Sequence, residues 1–578
     1  MSTAVATSTL RNRSTPGVYI TEIPAFSTSI VAVPSAVPIF IGYTQFAQDP
    51  KTGTLVYNTA VPISSMTEFM QYFGAAYQQT YVVAMASPPA TPTSTPGTSS
   101  GPAPTPTPTA GPAAEAPLFS FPAAYTKSDQ TIGNGTFNVT AAGPSGEANQ
   151  FNLYWSMQLF FANGGGQCFV VSVGDYGGDL TATRTSAAPT IPGQIRAEDL
   201  ASGLTAAANA VGPTMIVVPE ACQLGASDYG AVVQQMLQQA SALQDRVAIL
   251  DLPGCLSAST LDDLQAAQGA LSTAIAPAAD SLSYGVVYAP ALNTSIVTVN
   301  DVLYTNLVSE DGDNSIMNSI LTAQATQLYA SNTAALTAVK NAIATAFPTT
   351  GAAATALTPS AATTLDNLLL NALPIFTQIE QLIANSINVA PPSGVMAGIW
   401  AKSDALNGVW NAPANMSLAA VVSPLYNMSD ADQAGFNMPT NGQAIDILRA
   451  LPGRGTVVWG ARTLDGNSQD YRYVQVRRTL VNLEQTIKTA LQSYVFAPND
   501  ATTWSTVTAS ISGFLTGIWQ QGGLMGSKPG EAFSVQCGLG STMTAQDIIN
   551  GYMVVAITLQ MIHPAEFIEL TFTQTMGS

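Results

Sequence analysis

The sequence predicts a mixed α/β protein of several domains, and three observations carry that prediction. Continuous apolar, β-branched runs recur between segments of helical spacing: CFVVSV at Cys168–Val173, TMIVVP at Thr214–Pro219, RVAILD at Arg246–Asp251 and YGVVYA at Tyr284–Ala289. Runs of that kind are parallel strands buried on both faces. The chain has 578 residues, too many for one core, so two to four domains are expected. Both ends carry short alternating patterns, TPGVYITEI at Thr15–Ile23 and FIELTFTQ at Phe567–Gln574, which suit strands attached to chain termini.

Residues 1–15 are polar and turn-rich, an arm leading into the strand at Thr15–Ile23. A second β-rich stretch spans Thr28–Thr44, with Ile39–Gly42 as its buried strand. Residues 61–74 hold a short helix with Ser65 as N-cap and Glu68 three residues on. From Ser87 to Pro117 Pro, Thr, Ser, Ala and Gly dominate; such a stretch has too little to bury and reads as an exposed linker. A hairpin is expected around GNG at Gly133–Gly135. Helices are expected over Leu153–Phe161, Leu200–Val211 and Tyr229–Leu243, between the buried strands. Residues 315–388 are rich in Ala, Thr, Leu and Asn and read as two or three helices split at Pro348 and Pro359. From Pro391 the chain gains Trp, Gly and Arg, and a new domain is expected to begin. The strongest helix is Val474–Val495, with Val476, Leu480, Leu483, Ile487 and Leu491 in one stripe. A second helix covers Ala501–Gln521, ended by Gly522-Gly523, and strands follow at Glu531–Gln536 and Tyr552–Gln560.

Composition excludes several functions. The chain is 47% hydrophobic with mean hydropathy +0.22, yet it has no uninterrupted apolar run of ~20 residues, so no transmembrane helix is expected. Its first residues lack the apolar core of a signal peptide, which implies synthesis in a cytosol. Cys168, Cys222, Cys255 and Cys537 are far apart and form no CxxC pair, so neither a disulfide framework nor a zinc site is expected. A single histidine, His563, rules out multi-histidine metal centres. A net charge of −18 argues against nucleic acid as a partner.

No segment has the make-up of an active site, and no enzyme, cofactor or metal is expected. NGGG at Asn163–Gly166 lacks the GK[ST] ending of a phosphate loop and reads as a helix C-cap. Asp251 ends a buried strand, where α/β enzymes place acids, but has no mate at fixed spacing and reads as a cap or turn residue. His563, before Pro564, reads as a turn residue, and Asp432 as a helix cap. The anomaly is charge. Only 9% of residues are charged against a usual ~25%, yet six of the 17 Lys/Arg lie within Arg449–Arg478. Arg454 and Arg462 sit among Gly, Val and Trp, and together with Arg472 they are expected in an internal network. Arg477, Arg478 and Lys488, with Glu484 beside them, are expected to face a partner protein; the alternative is a solvated face that keeps an apolar chain soluble.

Ten segments, in order, resemble the contractile tail sheath proteins of phages and related injection systems. They are TPGVYITEI; PIFIGYT at Pro38–Thr44; ISSMTEFMQYFG at Ile63–Gly74; LFFANGGGQCFVVSV at Leu159–Val173; MIVVPE at Met215–Glu220; ALQDRVAILDLPG at Ala242–Gly254; PPSGVMAGIWAKSDALNGVWNAPAN at Pro391–Asn415; LPGRGTVVWGARTL at Leu451–Leu464; YRYVQVRRTLVNLEQTI from Tyr471; and HPAEFIELTFTQ at His563–Gln574. The resemblance implies a sheath subunit whose hexameric rings stack helically around an inner tube and contract to drive it through a target envelope. The implied organisation is an N-terminal arm (1–30), the start of the sheath core (31–86), a flexible Pro/Thr-rich insertion (87–117), an outer α/β domain (118–314), a helical insertion (315–390) and an inner sheath domain (391–578). Strands around Gly17, Val18, Tyr19, Ile20 and Ile23, and around Phe567, Ile568, Leu570 and Phe572, would be donated to neighbouring subunits. Helix 474–495, bearing Arg477, Arg478, Glu484 and Lys488, or its successor at 501–521 would meet the tube, the first being preferred. Implied partners are other copies, the tube, and baseplate and cap proteins, with no direct contact to nucleic acid or membrane. Implied localisation is assembly in a bacterial cytoplasm as a phage tail or a contractile injection particle. The alternative class is a secreted surface-layer or adhesin-like protein, suggested by low charge and the Pro/Thr stretch.

Overall fold

The computed structural model describes residues 30–86, 117–143, 148, 150–177, 193–310, 314–349 and 357–569. They fall into two compact units: residues 33–484 with 562–569, and residues 485–561 with 30–32. The expected strand at Thr15–Ile23, most of the Pro/Thr-rich stretch, Leu570 and Phe572 lie outside the described residues.

The larger unit is organised by an eight-stranded sheet. Its strands are β1 (Pro38–Thr44), β2 (Val61–Ile63), β3 (Cys168–Asp175), β4 (Met215–Val217), β5 (Val247–Asp251), β6 (Gly285–Ala289), β7 (Asp446–Leu451) and β8 (Gly455–Val458), in the spatial order β8-β7-β6-β5-β4-β1-β3-β2. The six inner strands run parallel, and β2 and β8 pair antiparallel at the edges. Successive side chains alternate faces. In β1, Ile39, Ile41 and Tyr43 enter one core cluster while Phe40 enters the other. Helix α1 (Leu153–Ala162) covers the Phe40 face. Ala197–Ala208, Ala226–Leu243 and α2 (Leu261–Ile275) cover the opposite face. Helix α3 (Ser393–Asn407) lies against α1, and glycine makes that approach possible: a Cβ at Gly398 would stand 2.6 Å from the Phe160 carbonyl oxygen. The 391–464 segment therefore completes this sheet, and no new domain begins at Pro391. Its Trp and Gly, taken as the start of a new domain, are packing residues; Trp400 is fully buried beside α1.

A second core lies between the helical segment and a four-stranded sheet of Leu307–Ser309, Tyr81–Met85, Ile132–Ala141 and Phe119–Thr126. Helices Ser315–Leu328, Thr333–Ala346, Pro359–Ala372 and Pro374–Ile387 bury Met317, Ile343, Leu369 and Phe376 against it. GNG does not make the hairpin turn. Gly133–Gly135 pairs with Tyr125–Ala123 inside the ladder, and the chain turns at Lys127–Thr131 with Gln130 left-handed. Burial first, and the neighbouring Asp366 second, push the Glu380 carboxyl up to about 10, so it is protonated at neutral pH.

Acids at the ends of parallel strands serve helices here. Ser393 donates to Asp251 through its backbone N–H (2.8 Å) and Oγ (2.5 Å) at the start of α3. Burial outweighs those bonds and raises Asp251 to about 7. Glu220 accepts from the Leu153 N–H at the start of α1 (2.9 Å), and burial likewise raises it to about 7. Both sit where the unsatisfied N–H groups of a helix point.

The smaller unit contains α5 (Ala501–Gln520) and a two-stranded antiparallel sheet, β9 (Phe533–Gln536) with β10 (Ala556–Leu559). Helix α4 (Val474–Leu491) precedes it; residues of α4 up to Glu484 belong to the larger unit.

Candidate assembly interface

The β7–β8 hairpin opens the region. Pro452-Gly453-Arg454 makes its turn, and Gly453 (φ 74°) and Gly455 (φ 70°) both adopt the left-handed conformation that glycine tolerates. Arg454 is exposed there. Its guanidinium donates to the Asn415 side chain (2.6 Å) and backbone carbonyl (3.0 Å), so it braces a surface turn and is not internal. Arg472 is half-buried and donates to the nearby Ser468 carbonyl (2.9 Å).

Arg462 is the organiser. It is 4% exposed and grips Glu566 with Nε (3.0 Å) and Nη2 (2.6 Å), a two-pronged pair. Asn437 (2.8 Å) and the Tyr473 hydroxyl (3.3 Å) also donate to Glu566. Burial tends to raise the Glu566 carboxyl, but Arg462, Asn437 and Tyr473 together hold it below the usual glutamate range. Backbone N–H of Arg462 meanwhile donates to buried Asp446 (2.8 Å). The C-terminal tail is thus clamped at Glu566. Immediately beyond, Phe567 and Ile568 are exposed and lie in no strand of this chain. Reading the sequence did not single out Glu566; its one signal is an acid in an apolar, proline-flanked run, HPAEF.

Arg477 and Arg478 do not face outward. Arg477 is wedged between the rings of Tyr471 (3.7 Å) and Tyr284 (4.2 Å) and donates to Ser283 Oγ (2.7 Å). Arg478 holds Asp404 through two bonds (2.9 and 2.6 Å) above the Trp400 ring. The cause is that the first turns of α4 are buried all round, from Val474 to Thr479. The apolar stripe marked one buried face; the partners that bury the other are remote in sequence. Of the four expected partner-facing residues, Glu484 and Lys488 are exposed.

The smaller unit differs in kind. Between Gln485 and Met561 the only charged residues are Lys488, Lys528, Asp500, Glu531 and Asp547. Val495, Phe496, Met525, Leu539, Ile549 and Tyr552 are nonetheless exposed. Exposed apolar side chains in so charge-poor a unit are of the kind that association buries. Its sheet has two strands, a number only marginally stable alone.

Residues 467–575 match the family described as the phage tail sheath C-terminal domain. That segment is similar to a tail sheath C-terminal domain. Its boundaries take in Arg472, the arginines of α4, the charge-poor unit and Glu566, while Arg462 and Asn437, which hold Glu566, lie before it. The tail sheath protein of Burkholderia phage BcepMu is 28% identical over 156 residues, which are 26% of this chain and 32% of that relative; the match thus spans about a third of the relative's length. The sheath complex of the extracellular contractile injection system PVC, in its contracted state, aligns over 97% of this chain and 98% of its own, with TM-score 0.52 and 22% identity. The contracted helical sheath of the anti-feeding prophage aligns over 97% and 100%, with TM-score 0.52 and 21% identity. The whole chain therefore shares the sheath fold, beyond the C-terminal segment that matches the sheath domain. Among the described residues no helix is long and apolar enough to cross a membrane, and no group of three or more His, Cys, Asp or Glu could hold a metal ion.

Proposed function

We propose that the chain is the sheath subunit of a contractile tail or injection machine, assembling as hexameric rings stacked helically around an inner tube. The observation that carries this reading is the match of residues 467–575 to a tail sheath C-terminal domain, set in a chain whose sheath fold extends over nearly its whole length. Work is done by assembly rather than by chemistry. The α/β unit is the rigid body, and contraction is a switch between two packings of such bodies.

The terminal strands are the links. Segments 17–23 and 567–573, donated by neighbours, extend the β9–β10 sheet by β-augmentation. The clamp at Glu566 supports this, because it anchors the tail at the residue before the donated segment starts. Each donated backbone hydrogen bond contributes roughly 0.5–1.5 kcal/mol, and several in register hold a link while weaker contacts let go. Lys488 and Glu484 remain the candidates for meeting the tube; Arg477 and Arg478 do not. Baseplate and cap proteins would bound the assembly, and the particle would form in a bacterial cytoplasm. Asp251 supplies no catalysis in this reading: both its oxygens are held by Ser393.

Electron microscopy of the purified chain should show long tubes or stacked rings. Deleting residues 1–23 should abolish them while leaving the circular dichroism of the α/β unit intact. Normal tubes from that truncation would remove strand exchange from the reading, and a chain that stays monomeric at every concentration would remove the sheath.

A further inference from the structure

Two buried polar atoms of the larger unit have no partner and share one cleft. Tyr77 is 5% exposed and Gln79 is 4% exposed, and both lie in the connection that leads into the strand Tyr81–Met85. The Tyr77 hydroxyl and the Gln79 side-chain oxygen make no hydrogen bond. Other contacts hold both side chains in place. The Tyr77 ring packs edge-on against Phe151 and Tyr176, with centroids 5.5 Å from each. The Gln79 amide nitrogen donates to the Ala142 carbonyl (2.7 Å), which leaves the amide oxygen as the free atom. Native interiors rarely leave such atoms unsatisfied, because each one costs stability.

Both residues line a cleft of ≈150 Å³, a size that holds a guest on the scale of benzene. Tyr154 and Trp155, half-buried on the first turn of α1, form its aromatic wall, their rings at 88° to each other. Asp301 lines the cleft as well and is exposed, which puts a carboxylate at the rim. Thr298 donates to one oxygen of that carboxylate through its backbone N–H (2.8 Å) and its hydroxyl (2.7 Å). Asp301 is the one charged residue among the described residues that line the cleft, and no Lys or Arg is among them.

We propose that this cleft binds an organic cation, a primary ammonium or guanidinium head group. The lining selects that class. An amide oxygen only accepts hydrogen bonds, a phenol hydroxyl accepts as well as donates, and such head groups only donate. The rings of Tyr154 and Trp155 offer the faces that attract cations. A carboxylate at the rim, with no basic residue beside it, draws cations and repels anions, and the net charge of −18 adds to that bias. The head group seats with its N–H donors on the Gln79 oxygen and the Tyr77 hydroxyl. A free amine and a Lys or Arg side chain of another copy carry the same chemistry. The site lies within one subunit, so it stands whether or not the chain forms a sheath.

Isothermal titration calorimetry of the full-length chain tests this, with n-butylammonium as the probe and n-butanol as its uncharged counterpart. n-Butylammonium should bind with a Kd on the order of 1 mM. n-Butanol should bind about tenfold more weakly, since it lacks the charge that the rings and acceptors read. Tyr77→Phe keeps the ring and deletes only the free hydroxyl. It should weaken n-butylammonium by about tenfold, while the ligand-free melting temperature stays within about a degree of the parent or rises, because no hydrogen bond is lost. Asp301→Asn retains an oxygen for Thr298 and should weaken binding about threefold, less so at high salt. Absent binding, equal binding of the two probes, or unchanged affinity in Tyr77→Phe would each overturn the site. So would a lower ligand-free melting temperature in Tyr77→Phe, which would show a hydroxyl already satisfied. Electron microscopy with saturating n-butylammonium separates the two sources of the head group. Loss of the parent's tubes, matched by loss in Tyr77→Phe without the probe, assigns it to another copy; tubes in both cases assign it to a free amine. A parent that never assembles removes the sheath reading and leaves the calorimetry to decide the site.

Discussion

The two units handle charge and apolar surface in opposite ways. In residues 33–484 the ionised side chains that enter the interior find partners: Arg478 with Asp404, Arg462 with Glu566 of the tail, Arg477 between two tyrosines. Residues 485–561 carry five charged side chains and leave phenylalanine, isoleucine and tyrosine in solvent. One unit is finished by its own contacts; the other is unfinished until something covers it. The difference locates stability in the first and association in the second, and substitutions should separate the two.

The largest effect is expected where the finished unit would be left with an uncompensated charge. Arg478→Ala strands Asp404, which is 6% exposed, and uncovers Trp400. Removing one partner of a buried pair costs about 3–5 kcal/mol, so the melting temperature should fall by many degrees, with assembly failing only because the subunit unfolds. A melting temperature within two degrees of the parent would mean that the pair is not the brace described. Next comes Glu220. Its folded-state value of about 7 lies above the ordinary 4.5, so the native state binds the extra proton. Stability is fully present below about pH 4.5, declines as pH rises towards 7 and is flat beyond. The decline is on the order of 3 kcal/mol from this group. Glu220→Gln should flatten that slope in urea melts at pH 4.5, 6 and 7.5; an unchanged slope assigns it elsewhere.

The finished unit was also the legible one. Continuous apolar, β-branched runs marked Ile39–Gly42, Cys168–Val173 and Arg246–Asp251, because strands buried on both sides carry few polar residues to interrupt the run. Helix spacing likewise placed α4 and α5 to within a few residues. What periodicity does not carry is pairing between distant residues. Tyr284, Tyr471 and Asp404 decide where Arg477 and Arg478 point, and none lies on their helix. Arg454 misled for a related reason: glycines beside it signified a left-handed turn at the surface, not a crowded interior. Glu566 is a single residue without a pattern, marked only by its clamp.

The clamp joins the comparison at its boundary, since it belongs to the finished unit but positions a segment meant for association. Glu566→Gln should cost about 1–2 kcal/mol locally, the scale of a charge-assisted hydrogen bond that is partly solvated. The sign with pH follows from its depressed titration. The contribution is present above the ordinary glutamate range and is lost as pH falls through the lower folded-state value. Hydrogen exchange and limited proteolysis at residues 562–569 should therefore rise in the variant at neutral pH, and in the parent only under strongly acidic conditions. Protection that survives the substitution would show the tail held by its apolar residues instead.

The smallest effect is reserved for Lys488, exposed near the end of α4. Lys488→Glu should leave the melting temperature within about a degree, because an exposed cation contributes roughly 0–1 kcal/mol. Recruitment to purified inner tubes should weaken by no more than about fivefold, the same energy read as affinity, and the loss should shrink as salt rises from 50 to 500 mM, where exposed charges are screened. Lys488→Gln should fall midway, since it removes attraction without adding repulsion. Recruitment that is unchanged, or a loss that does not respond to salt, places the tube contact on the apolar surface of residues 485–561 and off α4. In either case the contact stays far weaker than the buried arginine pairs, as it must if the sheath is to let go of the tube without unfolding.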